Sequence, residues 1–230
     1  MKNLFKTVII KTLPVMTGYI VLGIGFGILL VGTGHGVLWS VLMAALIYAG
    51  SMQYVAINLI TGGASLITTA LTTLLVNARH LFYGISMIEK YKDTGAKKPY
   101  LIFSLTDETY SPLCGEDYPE NCDKGKYQFA VSLFNHIYWV VGCTLGAVIG
   151  ETIPFNTAGI EFCMTALFVT IFVEQWLSTK QHLPALVGLL SAVICLIIFG
   201  ADAFLIPTMV LISVLLLLLK GVLEKEGKND

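Results

Sequence analysis

The chain has 230 residues, of which 56% are hydrophobic and 13% are charged, and its formal net charge is -1. Soluble domains carry about 25% charged residues, so a mean hydropathy of +0.78 predicts a polytopic membrane protein. No basic patch interleaves with aromatic residues, which argues against nucleic-acid binding. About seven apolar segments of roughly 20 residues would fill the chain. We therefore predict an all-α membrane helix bundle of about seven spans, forming one transmembrane domain over residues 1–230.

The N-terminal residues 1–12 are interpreted as a lead-in to the first span. A cleaved signal peptide is not predicted, because a lysine interrupts the apolar run and no small-residue cleavage site follows. Span 1 is predicted from Leu13 to Val31. Gly23 and Gly27 stand four residues apart, which places them on one helix face and permits close approach of another helix.

Span 2 is predicted from Leu38 to Ile60, and small polar residues interrupt its middle, AGSMQ at Ala49–Gln53. Two interpretations stay open. A helix break there would free backbone groups for a ligand, with Gly50, Ser51 and Gln53 as substrate-binding candidates. In an unbroken helix, Gln53 would instead bond to a neighbouring helix.

Span 3 is predicted from Ser65 to Met87, and it carries Asn77, Arg79 and His80 near its end. Lipid does not solvate such groups, so they must meet one another, the backbone, water or a substrate. Asn77 and Arg79 are substrate-binding candidates, although Arg79 could simply snorkel to the interface. His80 is a proton-coupling candidate, with a hydrogen-bonded packing role as the alternative. No other His or Cys stands at metal-ligand spacing from it, so no metal site is predicted.

The long polar loop at 89–126 contains a partly apolar piece, Pro99–Leu113. This piece is short for a full span, and we predict a re-entrant or interfacial segment. Asp107 and Glu108 are adjacent, so on a helix they would point in different directions. One could face Arg79 while the other faces solvent, which makes both substrate-binding candidates; two exposed loop carboxylates are the alternative.

The five cysteines indicate neither a disulfide framework nor a metal site. Cys143, Cys163 and Cys195 lie in apolar segments and are interpreted as small core residues. Cys114 and Cys122 share the polar loop and could pair only if that loop faced an oxidising compartment. No cofactor is predicted.

The second half of the chain holds four more predicted spans. Span 4 has three glycines at intervals of four, which predicts a packing face. Span 5 carries Glu174, a second proton-coupling candidate, because a carboxyl group removed from water can hold a proton near neutral pH. A polar tail follows at 220–230. These spans are predicted at Phe129–Ile149, Gly159–Leu177, Leu183–Gly200 and Phe204–Leu219.

A weak internal repeat relates the two halves of the chain. It aligns Gln53 with Gln175 and the glycine-rich span 1 with span 4. Three spans per repeat would make the halves inverted in the membrane, a design that places the substrate site at their interface.

The lysines bear on orientation in the inner membrane. With seven spans, ten lysines lie on the side of the C-terminus and three on the side of the N-terminus. The positive-inside rule then favours a cytoplasmic C-terminus, whereas the three lysines before span 1 argue the opposite. A crossing by 99–113 would raise the count to eight spans and put both termini inside.

Three motifs together resemble, in order and spacing, the AzlC-type (azaleucine resistance) large subunit of the branched-chain amino acid exporters. They are AGSMQY (Ala49–Tyr54), LLVNARHLFYG (Leu74–Gly84) and LTDETY (Leu105–Tyr110). The resemblance extends over about Pro14–Leu219. Ala78 departs from the family pattern, which commonly has Leu there.

The resemblance implies export of leucine, isoleucine, valine and related amino acids such as methionine, driven by the proton gradient. It also implies a smaller, AzlD-like membrane subunit, without which transport fails. From the residues themselves, a channel or facilitator for another small solute and a purely structural subunit stay open. An intramembrane protease is not predicted, because HExxH is absent and Gly50 directly precedes Ser51 where a serine protease needs a GxSx spacing.

A zwitterionic substrate needs an anion site, a cation site and an apolar pocket. Helix N-termini at a break in AGSMQ, or the guanidinium of Arg79, would bind the carboxylate. Asp107, Glu108 or Glu174 would bind the ammonium group. The branched side chain would lie among apolar residues of spans 2 and 3.

Overall fold

The computed structural model describes residues 2–114, 122–153, 162–178, 181–200 and 204–226. Within these ranges the regular structure is α-helical apart from one 3-10 turn, which confirms the predicted all-α class. The helices are α1 (Lys2–Gly32), α2 (Val37–Leu46), α3 (Gly50–Thr61), α4 (Leu66–Val76), α5 (Arg79–Met87), α6 (Lys98–Phe103), α7 (Asp107–Cys114), α8 (Lys124–Thr152), α9 (Phe162–Ser178), α10 (Leu183–Phe199) and α11 (Leu205–Glu226).

The chain divides into two compact units, Met1–Thr165 and Ala166–Asp230. The first unit contains α1 to α8 and the start of α9. In the second unit α10 packs against α11, and the ring of Trp176 stacks on His182 with their centroids 4.0 Å apart. The single-domain assignment stays a prediction.

The first unit is built on the packing of α1 against α8. An ideal Cβ on Gly23 would lie 2.8 Å from the backbone nitrogen of Cys143, and one on Gly142 would lie 2.8 Å from the carbonyl oxygen of Tyr19. Only residues without a side chain allow the two backbones to approach so closely. The helix faces predicted from the glycine spacing therefore pack against each other. Gly27, Gly146 and Gly150 lie in the same interface.

Much of the apolar surface is exposed in both units. Leu66 is 88% exposed in the first unit, and Ile197 is 79% exposed in the second. An apolar surface of this extent needs lipid or another protein against it. Within the described residues, two helices are long and apolar enough to cross a membrane, Leu4–Gly32 and Lys124–Thr152. Shorter apolar helices lie at Val37–Leu46, Leu66–Val76, Leu183–Phe199 and Val210–Leu219.

The seven-span count and the inverted repeat stay predictions. Two of the predicted spans are not continuous helices. Span 2 is interrupted at 47–49, between α2 and α3, so of the two interpretations left open the structure has the break. Span 3 is interrupted at Asn77 and Ala78, between α4 and α5, an interruption that was not predicted.

The segment Pro99–Leu113 folds as two short helices, α6 and α7, with an interruption at 104–106. Both helices pack on α8. Its re-entrant or interfacial placement stays a prediction.

The ends of several elements differ from the predictions. The lead-in at 1–12 is continuous with span 1, because α1 begins at Lys2, and α11 extends to Glu226, inside the predicted polar tail. Cys114 and Cys122 are both free thiols, so they do not form the disulfide considered from the sequence. Cys143 and Cys195 are buried as predicted. The side chain of Cys163 lies outside the described residues.

Candidate functional site

Three interrupted helices meet at the side chain of Arg79. Nη1 of Arg79 lies 2.6 Å from Oδ2 of Asp107, and Nη2 donates a hydrogen bond of 2.9 Å to Oγ of Ser51. Arg79 is the first residue of α5, Asp107 is the first of α7, and Ser51 is the second of α3. The N-terminal ends of α3, α5 and α7 therefore converge on one ion pair.

This convergence gives the site its electrostatic character. The first backbone N–H groups of a helix have no partner in the helix and carry a partial positive charge. The acidic first turn of α7, with Asp107 and Glu108, complements that charge. The side chains of Arg79 and Asp107 are 29% and 24% exposed, so the pair is only partly shielded. Nε of Arg79 has no hydrogen-bond partner among the described residues.

The interruption before α3 depends on an unusual backbone conformation. Tyr48 has φ +46°, and among the described residues it is the one residue other than glycine with a positive φ. A bulky residue in the left-handed region costs about 1–3 kcal/mol and persists only where its surroundings hold it. Its ring is buried and lies 4.3 Å from the ring of His136, between centroids. Such strained residues cluster at functional sites.

Gln53 and Gly50 lie on the side of this interruption that faces α8. The indole Nε1 of Trp139 donates a hydrogen bond of 2.8 Å to Oε1 of Gln53. Gln53 is fully buried, and its Nε2 has no partner in the described residues. A Cβ on Gly50 would lie 3.1 Å from the ring of Trp139, so glycine leaves room for the indole. Gln53 thus connects α3 to α8 through its side-chain oxygen, while its side-chain NH₂ group has no partner among the described residues.

Glu108 lies in a cluster of hydroxyl groups rather than in solvent. The hydroxyl of Tyr19 donates to Oε2 of Glu108 over 2.8 Å and lies 2.9 Å from Oγ1 of Thr106. Thr106 bonds to Thr109 over 3.1 Å, and Nδ2 of Asn135 donates to Thr109 over 3.2 Å. The expectation that one carboxylate would face Arg79 holds for Asp107, whereas the expectation that the other would face solvent was wrong. α7 packs against α5 and α8, and the hydroxyl of Tyr19 on α1 holds the carboxylate of Glu108.

An apolar cavity of about 380 Å³ lies between α5 and α6. Two of its lining residues are close to the ion pair in the chain, because His80 follows Arg79 and Leu105 precedes Asp107 by two residues. Its walls are mainly aliphatic, and its volume lies within the ~300–1,000 Å³ of small-molecule sites. The lining residues include His80, Leu81, Gly84, Met87, Ile102 and Leu105.

The remaining candidates are placed differently. Asn77 ends α4, and its backbone carbonyl lies 3.2 Å from Nδ1 of His80. His80 therefore has a local backbone partner, and it also lines the cavity. The side chain of Glu174 lies outside the described residues. Among the described residues no group of three or more His, Cys, Asp or Glu side chains is arranged to hold a metal ion.

Sequence reasoning missed the residues that long helices bring to the site. Tyr19 lies among the glycines of α1, and Asn135 and Trp139 lie one turn apart on α8. The available signal was a polar amide within an apolar segment at Asn135. Its partner could not be identified, because the contacts join residues 26 to 89 positions apart.

The chain is similar to known proteins of one family. The model of the AzlC protein family matches residues 14–153. The chain is also 45% identical over 221 residues to the branched-chain amino acid transport protein AzlC of Bacillus subtilis, covering 96% of this chain and 87% of that protein. The chain belongs to the AzlC family. The match includes the whole ion-pair site of this AzlC-family protein.

Other relatives of this AzlC-family chain are described as membrane proteins. An uncharacterized membrane protein of Haemophilus influenzae is 45% identical over 220 residues, which cover 95% of this chain and 89% of that protein. The inner membrane protein YgaZ of Escherichia coli is 28% identical over 213 residues, covering 88% and 83%. No solved structure matches the chain.

Proposed function

We propose that this protein is a transporter that exports branched-chain amino acids such as leucine, isoleucine and valine, and also methionine. It would act in the inner membrane as a multi-pass protein with a cytoplasmic C-terminus, driven by the proton gradient and together with a small AzlD-like membrane subunit. Membership of the AzlC family and the name of the Bacillus relative, a branched-chain amino acid transport protein, support this proposal. A transport protein rather than an enzyme also agrees with that name.

The observation that carries the proposal is the Arg79–Asp107 pair at converging helix N-termini. An amino acid zwitterion presents one carboxylate and one ammonium group a few atoms apart. Arg79 and the first N–H groups of α3 would bind the carboxylate, and Asp107 would bind the ammonium group. The ion pair would open as the substrate takes its place, so both charges stay compensated throughout.

The cavity beside the pair supports an apolar substrate side chain. Most of its lining side chains are aliphatic, and a branched side chain buried there would gain about 25 cal/mol for each Å² removed from water. Lys98 also lines the cavity. The same arrangement would exclude amino acids with charged side chains, because an unpaired charge in an apolar cavity is costly.

Counterflow of labelled leucine in proteoliposomes containing both subunits tests this assignment. Arg79→Ala and Asp107→Asn should each reduce counterflow by about 100-fold or more, because each leaves one substrate charge without its partner. The matched control is Glu89→Gln, which removes the exposed pair with Lys92 and should change counterflow by less than about twofold. Well-folded Arg79→Ala and Asp107→Asn proteins with full activity would show that the site lies elsewhere.

Two further measurements address the partner and the mode of transport. Omitting the small subunit should abolish export of leucine from loaded cells; undiminished export would remove the partner from the proposal. Leucine flux should saturate with concentration and respond to a pH gradient. Non-saturable, uncoupled flux would instead indicate a channel or facilitator. His80 and Glu174 are the proton-coupling candidates from the sequence.

A further inference from the structure

Glu108 and Asp107 are neighbours in the chain but meet different groups. Asp107 forms an ion pair with Arg79. The ion pairs found among the described residues do not include Glu108, whose side chain instead accepts from the hydroxyl of Tyr19. A carboxyl group held by hydroxyls can exist in both protonation states at one place, because a hydroxyl donates to a carboxylate and accepts from a carboxylic acid. Such a group can exchange a proton without rearranging its surroundings.

A row of polar side chains leads from this cluster along α8. Ser132, Asn135 and Gln128 lie on one face of the helix, at spacings of three and four residues, and are all at most 1% exposed. Oγ of Ser132 and Oδ1 of Asn135 have no hydrogen-bond partner within the described residues. Buried polar groups of this kind are commonly bridged by internal water.

The row ends at a polar pocket of about 460 Å³. Gln128 lines this pocket, and its Nε2 donates over 3.4 Å to the carbonyl of Lys90. The pocket also contains the side chains of Glu89, Asp93 and Lys124. Hydrophilic groups therefore extend from a charged, open pocket through the interior of the first unit to Glu108.

We propose that Glu108 takes up and releases the coupling proton, and that the polar row on α8 connects it to the pocket lined by Glu89 and Gln128. This inference rests on the proposed function and assigns the coupling role to a residue first considered for substrate binding. It replaces His80, whose Nδ1 lies against the backbone carbonyl of Asn77.

The charged and titratable groups around Glu108 explain how proton and substrate would be linked. Tyr19 faces it from α1, Tyr48 from the interruption before α3, and Asp107 from its own helix; Arg79 lies on the far side of Asp107. With Glu108 ionised, two carboxylates attract the substrate's ammonium group. With Glu108 protonated, one negative charge is lost and the ammonium group binds less well. Proton and amino acid therefore compete, which is the requirement for exchange of one against the other.

The test uses the complex of both subunits in proteoliposomes, with two measurements on each variant. Glu108→Gln has the charge of the protonated state, so its leucine affinity should fall. At saturating leucine its counterflow, which needs no net proton movement, should stay within about threefold of the wild type, while accumulation driven by a pH gradient falls by about tenfold or more. Glu151→Gln is the matched control and should retain both, because this exposed carboxylate accepts only from the backbone N–H of Val37 in the contacts described and lies outside the site. Gradient-driven accumulation that survives in Glu108→Gln would overturn the proposal.

A second variant keeps the proposal testable if Glu108→Gln does not fold. Tyr19→Phe retains the ring and removes one donor to the carboxylate, so the pH profile of gradient-driven transport should shift upward by about one pH unit. An unchanged profile would count against Glu108. If the wild-type complex gave no leucine counterflow, both the proposed function and this proposal would fail. If the wild-type complex gave normal counterflow and Glu108→Gln still accumulated leucine in a pH gradient, only the coupling role of Glu108 would be rejected.

Discussion

The α1–α8 pair and the three interrupted helices around Arg79 use small residues in opposite ways. On α1 and α8 the glycines bring two uninterrupted helices into backbone contact. Around Arg79 the helices stop, at 47–49, 77–78 and 104–106, and expose their N-terminal ends. The second region therefore presents the starts of three helices at one place, whereas the first presents a continuous helix surface.

This difference separates a scaffold from a site. A close-packed helix pair resists deformation because its contacts are between backbones, which have no rotamers to change. Short helices joined by interruptions can tilt independently, and hinge residues are commonly found at such element ends. We therefore expect substitutions in the scaffold to affect folding and substitutions at the interruptions to affect transport.

The largest expected effect is in the scaffold. Gly142→Leu would force the side chain into the carbonyl of Tyr19, where even a Cβ would lie at 2.8 Å. Because backbone cannot move aside as a side chain can, we expect a loss of about 3 kcal/mol or more in the free energy of unfolding. Gly18→Leu on α1 is the matched control, since a Cβ there meets nothing within 4 Å. The fraction of monodisperse protein in detergent measures both, and similar yields would contradict the scaffold role.

The next largest effect is at the ion pair. Arg79→Lys keeps the charge but cannot bond to Asp107 and Ser51 at once, because an ammonium group lacks the planar fork of guanidinium. We expect leucine affinity in counterflow to fall by about 30-fold while the protein folds normally. Lys92→Arg, in the exposed pair with Glu89, serves as control. Full affinity in Arg79→Lys would show that only the charge of Arg79 matters.

A smaller, selective effect is expected in the cavity between α5 and α6. A Cβ on Gly84 meets nothing within 4 Å, so Gly84→Leu should fold and fill part of the space. Leucine transport should fall by about tenfold, because one methylene group in an apolar pocket already changes binding by ~1–3 kcal/mol. Alanine transport, measured in competition, should change little. Equal losses for both substrates would mean that the cavity does not hold the side chain.

The smallest effect concerns the start of the scaffold helix α8. Oδ1 of Asp123 accepts the backbone N–H of Lys126 over 3.0 Å, and this hydrogen bond holds the pKa of Asp123 below its ordinary value. The contribution to stability is thus present above the unfolded-state pKa of about 3.9 and is lost as pH falls through the lower folded-state pKa. Asp123→Ala should lower the thermal midpoint slightly at pH 7, with a difference that disappears in acid. Asp123→Asn, also a good cap, should retain most of the midpoint at both pH values; a difference that persists in acid would contradict the capping role.

The residues of this chain that sequence reasoning placed correctly share one property: their role is local or is a matter of helix periodicity. The spacing of the glycines indicated their packing faces, and the position of Arg79 in an apolar segment indicated that it would need a polar partner. The adjacent pair Asp107 and Glu108 indicated that at most one carboxylate would meet Arg79. The interruption at Asn77 was missed because neither Asn77 nor Ala78 is a strong helix breaker.

By itself, the sequence determined the helical class, the apolar segments, the glycine faces and the identity of the polar residues that must be compensated, because these follow from composition and from the 3.6-residue period. Only the tertiary structure decided which groups compensate one another. Asp107 meets Arg79 and Glu108 meets Tyr19 because α7 packs against α5 and α8, and α8 packs against α1. A distance between residues 28 or 89 positions apart depends on that packing, and no local pattern encodes it.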